Sequence, residues 1–424
     1  MTPDLATLRE WRAQLTLDPI DPADPAETRY VPIADAGRGA VDDIFSLIEL
    51  ALEPTAQLLS GPSGSGKTTE LKRLRGRLEE AGFAVVLADI LKLLNQSSEI
   101  DIVEFLIALA LAFDEGLPAG EPDQGQRWPE RFRAFLQRIK VSVGVPGLSL
   151  EVDLRKEVKS SQPFVAELRF KLGYYLGDLR DEVAGFCADR VRAHREAHPD
   201  SAGVVMIVDS LEKVRGTIGN DALVQASVER LLVHHSDKLR FTSRHMVYTV
   251  PPYLMFTDPG LLPYDGSVRP VPIPNVRDRK REEVGDNIGE LVQVVERRIP
   301  WPALLGSETR LRDVILASGG HLRDLFTILQ ELIMLVHGRQ VPLPAGPEQV
   351  QEAVSKVARA FSSITEEDAA FLLRVDEAGG DIKPRAAEVG RLARLLHTHV
   401  ILAHMNGGTW YEVHPLARRT LGLP

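Results

Sequence analysis

The sequence predicts an α/β fold built on a parallel sheet, followed by an α-helical segment and a C-terminal winged helix. Three observations predict this class. Short apolar strands alternate with helical segments in the first half of the chain, and a glycine-rich loop joins one of these strands to a helix. The final segment combines three amphipathic stretches with a hairpin signal.

The glycine-rich loop, called the phosphate loop below, is Gly61-Pro62-Ser63-Gly64-Ser65-Gly66-Lys67-Thr68. It matches G-x-x-x-x-G-K-[ST] at each fixed position. An apolar strand, 57–60, precedes it, and a helix opens at Thr69. Glycines let successive backbone N–H groups point at phosphate oxygens, and the helix N-terminus adds partial positive charge. We therefore expect the loop and Thr69 to bind ATP or ADP, with Lys67 at the β- and γ-phosphates and Thr68 on Mg²⁺.

The composition narrows the function classes. The chain has 424 residues, 44% of them hydrophobic, and a formal net charge of −10, which argues against a protein that coats nucleic acid. Its single cysteine, Cys187, excludes an internal disulfide and suits a reducing cytoplasm. Because no apolar run approaches bilayer length and no signal sequence opens the chain, we expect a cytoplasmic protein without a membrane partner.

Three further apolar runs, 84–89, 204–209 and 245–250, predict the strands beside the loop. Asp209 ends the second run and is expected to complete the Mg²⁺ site with Thr68, because strand ends of a parallel sheet meet at one edge. Glu212 is the candidate base that orients the attacking water. The alternatives for Glu212 are a solvated residue at a helix start or a partner of Lys213.

Changes in composition and periodicity predict four segments. Residues 1–27 form an N-terminal arm with a proline-rich linker, and 28–278 form the P-loop α/β domain. An insertion at 115–200 interrupts that domain with a strand-like piece at 148–153 and one long helix from about 163 to 198. A helical lid at 279–345 and a winged helix at 346–424 follow, the latter with two strands around Asn406-Gly407-Gly408.

Five stretches together resemble a STAND-type AAA+ ATPase, the group that includes NACHT and NB-ARC proteins. They are the phosphate loop, Asp209-Ser210-Leu211-Glu212, Tyr248-Thr249-Val250-Pro251, the segment from Ser318 to Leu325, and the terminal winged helix. The likeness covers residues 28–424 apart from the insertion. It implies an ATP-hydrolysing switch. Ser210 and Glu212 match the NACHT pattern, whereas Lys213 stands where a second acid is usual, which points to slow hydrolysis.

The resemblance also assigns roles to Thr249 and Arg323. Thr249 ends a strand where the family keeps a polar sensor of the γ-phosphate; an ordinary strand threonine is the alternative. Arg323 follows a glycine pair, as the second sensor does in AAA+ lids, and would couple nucleotide state to the lid angle. The alternative for Arg323 is a surface salt bridge.

Two further positions are implied at the nucleotide. Arg38, in Gly37-Arg38-Gly39, resembles the Gly-Arg element that opens these domains, with the backbone of residues 30–32 near adenine. His414 resembles the histidine of the Met-His-Asp-Leu element that contacts the ADP β-phosphate, although Pro415 replaces the acid. A capping or core histidine is the alternative for His414.

The predicted function is therefore a Mg²⁺-dependent ATPase switch whose nucleotide state controls assembly or partner binding, in the manner of bacterial stress-signalling or anti-phage STAND proteins. Because the sequence ends with the winged helix, we expect a separate protein partner, and a homo-oligomer fits the family. Arg240 and Arg244 are candidates for an arginine finger in such an oligomer. The alternative function is a DNA-engaging AAA+ ATPase of the initiator or loader kind, which would use Arg385, Arg391 and Arg394 of the winged helix.

Overall fold

A computed structural model describes residues 4–33, 38–117, 127–141, 154–216, 219–256, 262–271, 273–385, 388–404 and 410–423. The chain divides into two compact units. The loop unit contains Met1–Asp42, Gly61–Arg73 and Pro270–Pro424, and the sheet unit contains Asp43–Ser60 and Leu74–Arg269. The four-segment division remains a prediction.

The strands are β1 Ala56–Ser60, β2 Phe83–Asp89, β3 Gly203–Asp209, β4 His245–Val250, β5 Arg269–Pro270, β6 Ile401–His404 and β7 Trp410–Val413. The helices are α1 Leu5–Gln14, α2 Arg38–Leu50, α3 Lys67–Glu80, α4 Ile102–Gly116, α5 Trp128–Arg138, α6 Leu154–Ser160, α7 Gln162–Leu172, α8 Leu176–Ala197, α9 Asp221–Glu229, α10 Gly285–Glu296, α11 Trp301–Leu305, α12 Glu308–Ser318, α13 Leu322–Gly338, α14 Pro347–Ala358, α15 Glu366–Glu377, α16 Val389–His397 and α17 Pro415–Leu421. None of the helices in the described ranges is both long and apolar enough to cross a bilayer.

The sheet has the strand order β2-β3-β4-β1-β5, and the ladders that join β1, β2, β3 and β4 are parallel. Every residue of β3 and β4 is buried, as expected for strands covered on both faces. The register sets Asp89 opposite Asp209 and Ser60 opposite Val250. The carboxyl ends of these four strands therefore lie along one edge of the sheet, and the phosphate loop begins at the residue after Ser60. The predicted parallel α/β fold is confirmed.

The 115–200 region supplies part of the hydrophobic core of the sheet unit. Trp128 of α5 and Phe186 of α8 lie 5.2 Å apart between ring centroids, in one buried cluster with α4. The predicted single helix from 163 to 198 is wrong, because a 3₁₀ turn at Gly173–Tyr175 separates α7 from α8. Glycine and tyrosine have weak helix propensity, and Tyr175 leaves helical geometry at φ −114°, ψ 25°. The predicted strand at 148–153 lies outside the described residues.

In the loop unit, α14 to α16 precede the antiparallel pair β6–β7, in which Ile401 lies opposite Val413. Three helices and a hairpin are thus present, as the sequence predicts for a winged helix; the Asn-Gly-Gly turn lies outside the described residues. The last helix, α17, was missed. Its signals are Pro415 at the first helical turn and a cap from His414, which accepts the Leu416 N–H, and histidine is not a preferred capping residue.

The glycine pair before α16 supports a matched stability test. Gly379 and Gly380 both have positive φ, at 59° and 82°. A Cβ at Gly379 would meet open space, whereas a Cβ at Gly380 would lie 2.2 Å from the Tyr411 carbonyl oxygen on β7.

We expect Gly379→Ala to lower the free energy of unfolding by about 1–2 kcal/mol, the cost of left-handed backbone for a residue with a Cβ. Gly380→Ala should cost a further ~1–3 kcal/mol, because the hairpin must move away from the new methyl group. Denaturant unfolding of both variants measures the difference. Equal stabilities would contradict the packing of β7 against this turn.

Candidate nucleotide-binding site

The phosphate loop has the curled backbone that its glycines predict. Gly64 and Gly66 both have φ +91°, a region that strains any residue with a Cβ. Lys67, the first residue of α3, is 4% exposed, and its Nζ donates to the carbonyls of Gly61 at 2.9 Å and Pro62 at 2.8 Å. The ammonium group is therefore held against the loop's own backbone, at the N-terminus of a helix, where anions bind favourably.

The start of α13 contacts this loop within the loop unit. Arg323 Nη1 donates to Ser63 Oγ at 3.2 Å, and His321 Nε2 lies 2.8 Å from the Ser63 carbonyl oxygen. A Cβ at Gly64 would lie 2.8 Å from His321 Nε2, so the loop must carry glycine there. Of these two residues, the sequence predicted Arg323 and missed His321.

A glycine pair lets the start of α13 lie close to the phosphate loop. Gly319 and Gly320 end α12 with φ of 60° and 79°, and a Cβ at Gly320 would lie 2.0 Å from the Pro274 carbonyl oxygen. Only glycine allows so close an approach of the two backbones. His321 follows this glycine pair directly, and Arg323 lies two residues further on. The position of His321 after the pair is therefore a signal in the sequence that could have identified it.

Three buried or half-buried histidines surround the Asp324 carboxylate, and we call these four residues the histidine cluster: His321, Asp324, His399 and His414. From Asp324 Oδ2, His321 Nδ1 lies at 2.7 Å, His414 Nε2 at 3.0 Å and His399 Nε2 at 3.5 Å. His321 and His399 stack with centroids 4.5 Å apart. Asp324 is the one acid within these contacts, so three imidazoles share a single negative charge.

Burial and charge set the titration of this cluster. Burial acts to raise the pKa of Asp324, but the charge and hydrogen bond of His321, together with His414, hold that pKa well below its usual range. Burial lowers the pKa of His399 to about 2, with the adjacent His321 acting in the same direction. Burial also lowers the pKa of His414, against the opposing effect of Asp324. Asp324 is therefore ionised at neutral pH, and His399 and His414 are neutral.

His414 also caps α17, because its Nδ1 accepts the Leu416 N–H at 3.1 Å. This is the capping alternative, and it places the histidine against Asp324 of α13. A direct contact with an ADP phosphate remains a prediction. Tyr30, in the segment predicted near adenine, donates its hydroxyl to Glu70 Oε1 on α3 at 2.9 Å. The side chain of Arg38 lies outside the part of the chain that the structure describes.

The second set of predicted residues lies at the carboxyl edge of the sheet, in the sheet unit. Asp209 is 3% exposed, and the next residue, Ser210, has φ +80° and donates its N–H to Asp209 Oδ1 at 2.7 Å. Glu212 is 1% exposed, so the alternative of a solvated residue is wrong. Lys213 Nζ donates to Ser210 Oγ at 3.0 Å. A left-handed turn thus follows the strand acid and buries the candidate base three residues on.

Thr249 is fully buried near the end of β4, and its hydroxyl donates to the Val208 carbonyl of β3 at 3.4 Å. In the strand order, β4 lies between β1, which leads into the phosphate loop, and β3, which ends in Asp209. The threonine therefore stands near the end of the strand between them. Its role as a phosphate sensor remains a prediction.

The candidate arginine fingers have internal contacts. Arg244 is 1% exposed, with its guanidinium carbon 4.0 Å from the centroid of Phe241 and 4.5 Å from that of Phe113. A side chain enclosed in this way cannot reach a neighbouring subunit, so that interpretation of Arg244 is wrong. Arg240 binds both oxygens of Asp265 at 3.1 Å.

No protein-family model matches this chain, and no curated protein sequence is significantly similar to it. Solved structures with a similar fold include the ORC2 protein of Aeropyrum pernix in ADPNP–ADP complexes, at 12% identity, with 95% of this chain and 96% of that chain covered and a TM-score of 0.40. They also include CDC6P from Pyrobaculum aerophilum (12% identity, 94% and 96% covered, TM-score 0.38) and Drosophila ORC bound to DNA (13% identity, 99% and 94% covered, TM-score 0.40). At these TM-scores the likeness by itself assigns neither a family nor a function to this chain.

The parallel sheet, the glycine loop between β1 and α3, and the helical and winged-helix regions together make this an α/β P-loop NTPase fold.

Proposed function

We propose that this chain is a Mg²⁺-dependent ATPase that acts as a nucleotide-operated switch. The contact that carries the proposal is Arg323 at Ser63, which places a cation from α13 on the phosphate loop itself. An arginine there can bind the terminal phosphates as a bidentate donor, and its partners differ between the ATP and ADP states. Loss of the γ-phosphate then changes how strongly α13 is held at the loop.

The remaining roles follow from residue chemistry. The loop N–H groups and Lys67 bind the phosphates, and Thr68 and Asp209 supply the hydroxyl and carboxylate oxygens that Mg²⁺ prefers. The metal ion, when bound, offsets the negative charge of the phosphates. Glu212 orients the attacking water, and its burial keeps the carboxylate away from bulk solvent. Thr249 reports on the γ-phosphate.

The output of the switch is a change in the arrangement of the segments that follow the loop, which exposes a surface for self-assembly or for a protein partner. The STAND assignment belongs to this proposal, as does a role in bacterial stress signalling or anti-phage defence. It is supported by the Ser210–Glu212 pattern and by His414 in contact with Asp324 of α13.

The hydrolysis roles can be tested with a pair of aspartates. Asp209 and Asp89 end neighbouring strands in register, but Asp89 is exposed. We expect Asp209→Asn to lower the Mg²⁺-dependent hydrolysis rate by about 100-fold, since the metal loses an anionic ligand. Asp89→Asn should leave the rate unchanged. Single-turnover hydrolysis of radiolabelled ATP measures both.

In the same assay, Glu212→Gln should lower the rate by about 10²–10⁴-fold while ATP still binds, as for loss of a general base. A rate equal to wild type would remove Glu212 from the reaction. Equal effects of Asp209→Asn and Asp89→Asn would contradict the assignment of Asp209 as the metal ligand.

A DNA-engaging ATPase is the second candidate function, because α16, the third helix of the winged helix, carries Arg391 and Arg394. Arg391 pairs with Glu367 at 3.0 Å, and Arg394 pairs with Asp368 at 2.5 Å. Their side chains keep 31% and 43% of their surface exposed. To contact a duplex, these arginines would exchange the carboxylates of α15 for DNA phosphates.

If α16 contacts DNA, binding to a duplex should weaken steeply with salt. The double variant Arg391→Ala/Arg394→Ala should then reduce the slope of log K against log salt by about two units, one for each lost phosphate contact. The matched control is Arg138→Ala/Arg192→Ala, which removes two exposed, ion-paired arginines from the sheet unit. Fluorescence anisotropy gives the slopes. Absence of duplex binding at low salt would exclude this candidate.

A further inference from the structure

The hydrogen bonds of His321 require two protons on its ring. Nδ1 faces the Asp324 carboxylate at 2.7 Å, and Nε2 faces the Ser63 carbonyl at 2.8 Å. Both partners only accept hydrogen bonds, since Asp324 is ionised. A neutral imidazole has one N–H and can satisfy only one of them. The observed geometry therefore describes an imidazolium.

The other rings cannot carry that charge. His414 Nδ1 accepts the Leu416 N–H, so the proton of the neutral ring is on Nε2, which faces Asp324. The 3.0 Å contact is short but poorly aligned for a hydrogen bond. His399 stacks on His321 at an interplanar angle of 14°, and a second positive ring at 4.5 Å would be repelled. The cluster is thus one carboxylate, one imidazolium and two neutral imidazoles.

A metal ion is a poorer fit to the same atoms. His321, Asp324 and His414 offer ligand atoms within 4.8 Å of one another. A histidine that binds a metal through Nε2 keeps its other proton on Nδ1, yet Nδ1 of His414 must accept the Leu416 N–H. Hydrogen bonding therefore accounts for the cluster better than coordination does.

The bond to Ser63 fixes one peptide plane of the phosphate loop. In a trans peptide, the carbonyl and the following N–H point in opposite directions. With the Ser63 carbonyl held by His321, the Gly64 N–H points away from His321. Backbone N–H groups of this loop are the donors for phosphate. Gly64 itself has positive φ and no side chain to resist rotation, so the plane depends on this anchor.

We infer that His321, charged through Asp324, is a positioning residue that holds the Ser63–Gly64 peptide ready for nucleotide phosphates, and that loss of its proton releases this peptide and weakens nucleotide binding. The inference rests on the proposed nucleotide-binding function. It adds a proton-dependent control of the phosphate loop, connected through Asp324 to His414 of the winged helix.

The effect of deprotonation has a defined direction. The charge-assisted bond to Asp324 retains the last proton, so Nε2 is the atom that loses its hydrogen, and its lone pair then faces the Ser63 carbonyl. Among the described residues, the charged or titratable groups beside His321 are Asp324 and Arg323 of α13, His399 before β6 and His414 after β7. Glu412 lies further out, against His404.

The test is the affinity for ADP in the presence of Mg²⁺, measured by calorimetry between about pH 6 and about pH 9, on either side of the ordinary histidine range. Titration of the nucleotide itself is common to all variants and cancels in their ratios. Relative to His321→Gln, wild type should lose about tenfold in affinity across this range, as expected for one charge-assisted hydrogen bond. Glutamine keeps an N–H near the Nε2 position but cannot titrate.

Asp324→Asn gives a sharper result. Its amide can donate to Nδ1, so a neutral His321 can keep its proton on Nε2, and the bond to Ser63 survives at high pH. Affinity should then stay level, and at about pH 9 it should exceed that of wild type. A purely structural role for Asp324 would instead weaken binding at every pH. His404→Gln is the matched control: His404 is equally buried in the loop unit, between Ile273 and Glu412, and the variant should keep the wild-type profile.

Three results would overturn the inference: a wild-type profile parallel to that of His321→Gln, a neutral His321 in the ¹⁵N-histidine NMR spectrum at neutral pH, or one tightly held zinc ion per chain that His321→Gln loses. If wild type binds ADP, Lys67→Ala does not, and the His321 and Asp324 variants match wild type, only this inference fails. If wild type binds no nucleotide, the proposed function fails with it.

Discussion

The phosphate loop can adopt its curled backbone only with glycine at two of its positions. Gly64 and Gly66 have φ values that strain every other residue, and the space a side chain would need at Gly64 is taken by His321. The same restriction recurs at Gly320, where the backbone of residue 274 leaves no room for a Cβ. Glycine therefore acts at both ends of the contact: it shapes the loop and lets the start of α13 reach it.

Positively charged side chains are concentrated where the start of α13 contacts the phosphate loop. Lys67 and Arg323 bring two cations to the loop, and His321 contacts both the loop and the Asp324 carboxylate. Anions bind well where several donors converge at a helix N-terminus. An acidic chain can thus still present a local site for a triphosphate, because net charge and local charge are separate properties. The connection through Asp324 to His414 gives the winged-helix segment a physical link to the loop.

The sequence predicted the parallel sheet well because β3 is apolar up to its final Asp209 and β4 is largely apolar, which composition reveals directly. It also predicted Arg323, through the glycine pair before it. It missed His321, although its place directly after the glycine pair was a local signal, because its partner is a carbonyl 258 residues away in sequence. The single helix expected at 163–198 failed for another reason: the weak helix propensity of Gly173 and Tyr175 is a faint signal in the sequence, and the backbone geometry shows the break clearly.

Burial also distinguishes between functional roles that the residue types alone left open. In the sequence, Glu212 and Arg244 are both polar residues near a strand, and in the structure both are buried. Burial favours Glu212 as the base that orients the attacking water, and it excludes Arg244 as an arginine finger. Arg391 and Arg394 have acidic partners on α15 that the sequence did not indicate, since pairing between helices depends on tertiary packing.

A crystal structure with a non-hydrolysable ATP analogue and Mg²⁺ would show whether this loop binds nucleotide phosphates. We expect phosphate oxygens on the N–H groups of residues 64–68, Lys67 Nζ moved from the Gly61 and Pro62 carbonyls to the phosphates, and the metal ion held by Thr68 and Asp209. A loop without nucleotide at saturating concentration, or a nucleotide bound elsewhere on the chain, would contradict it.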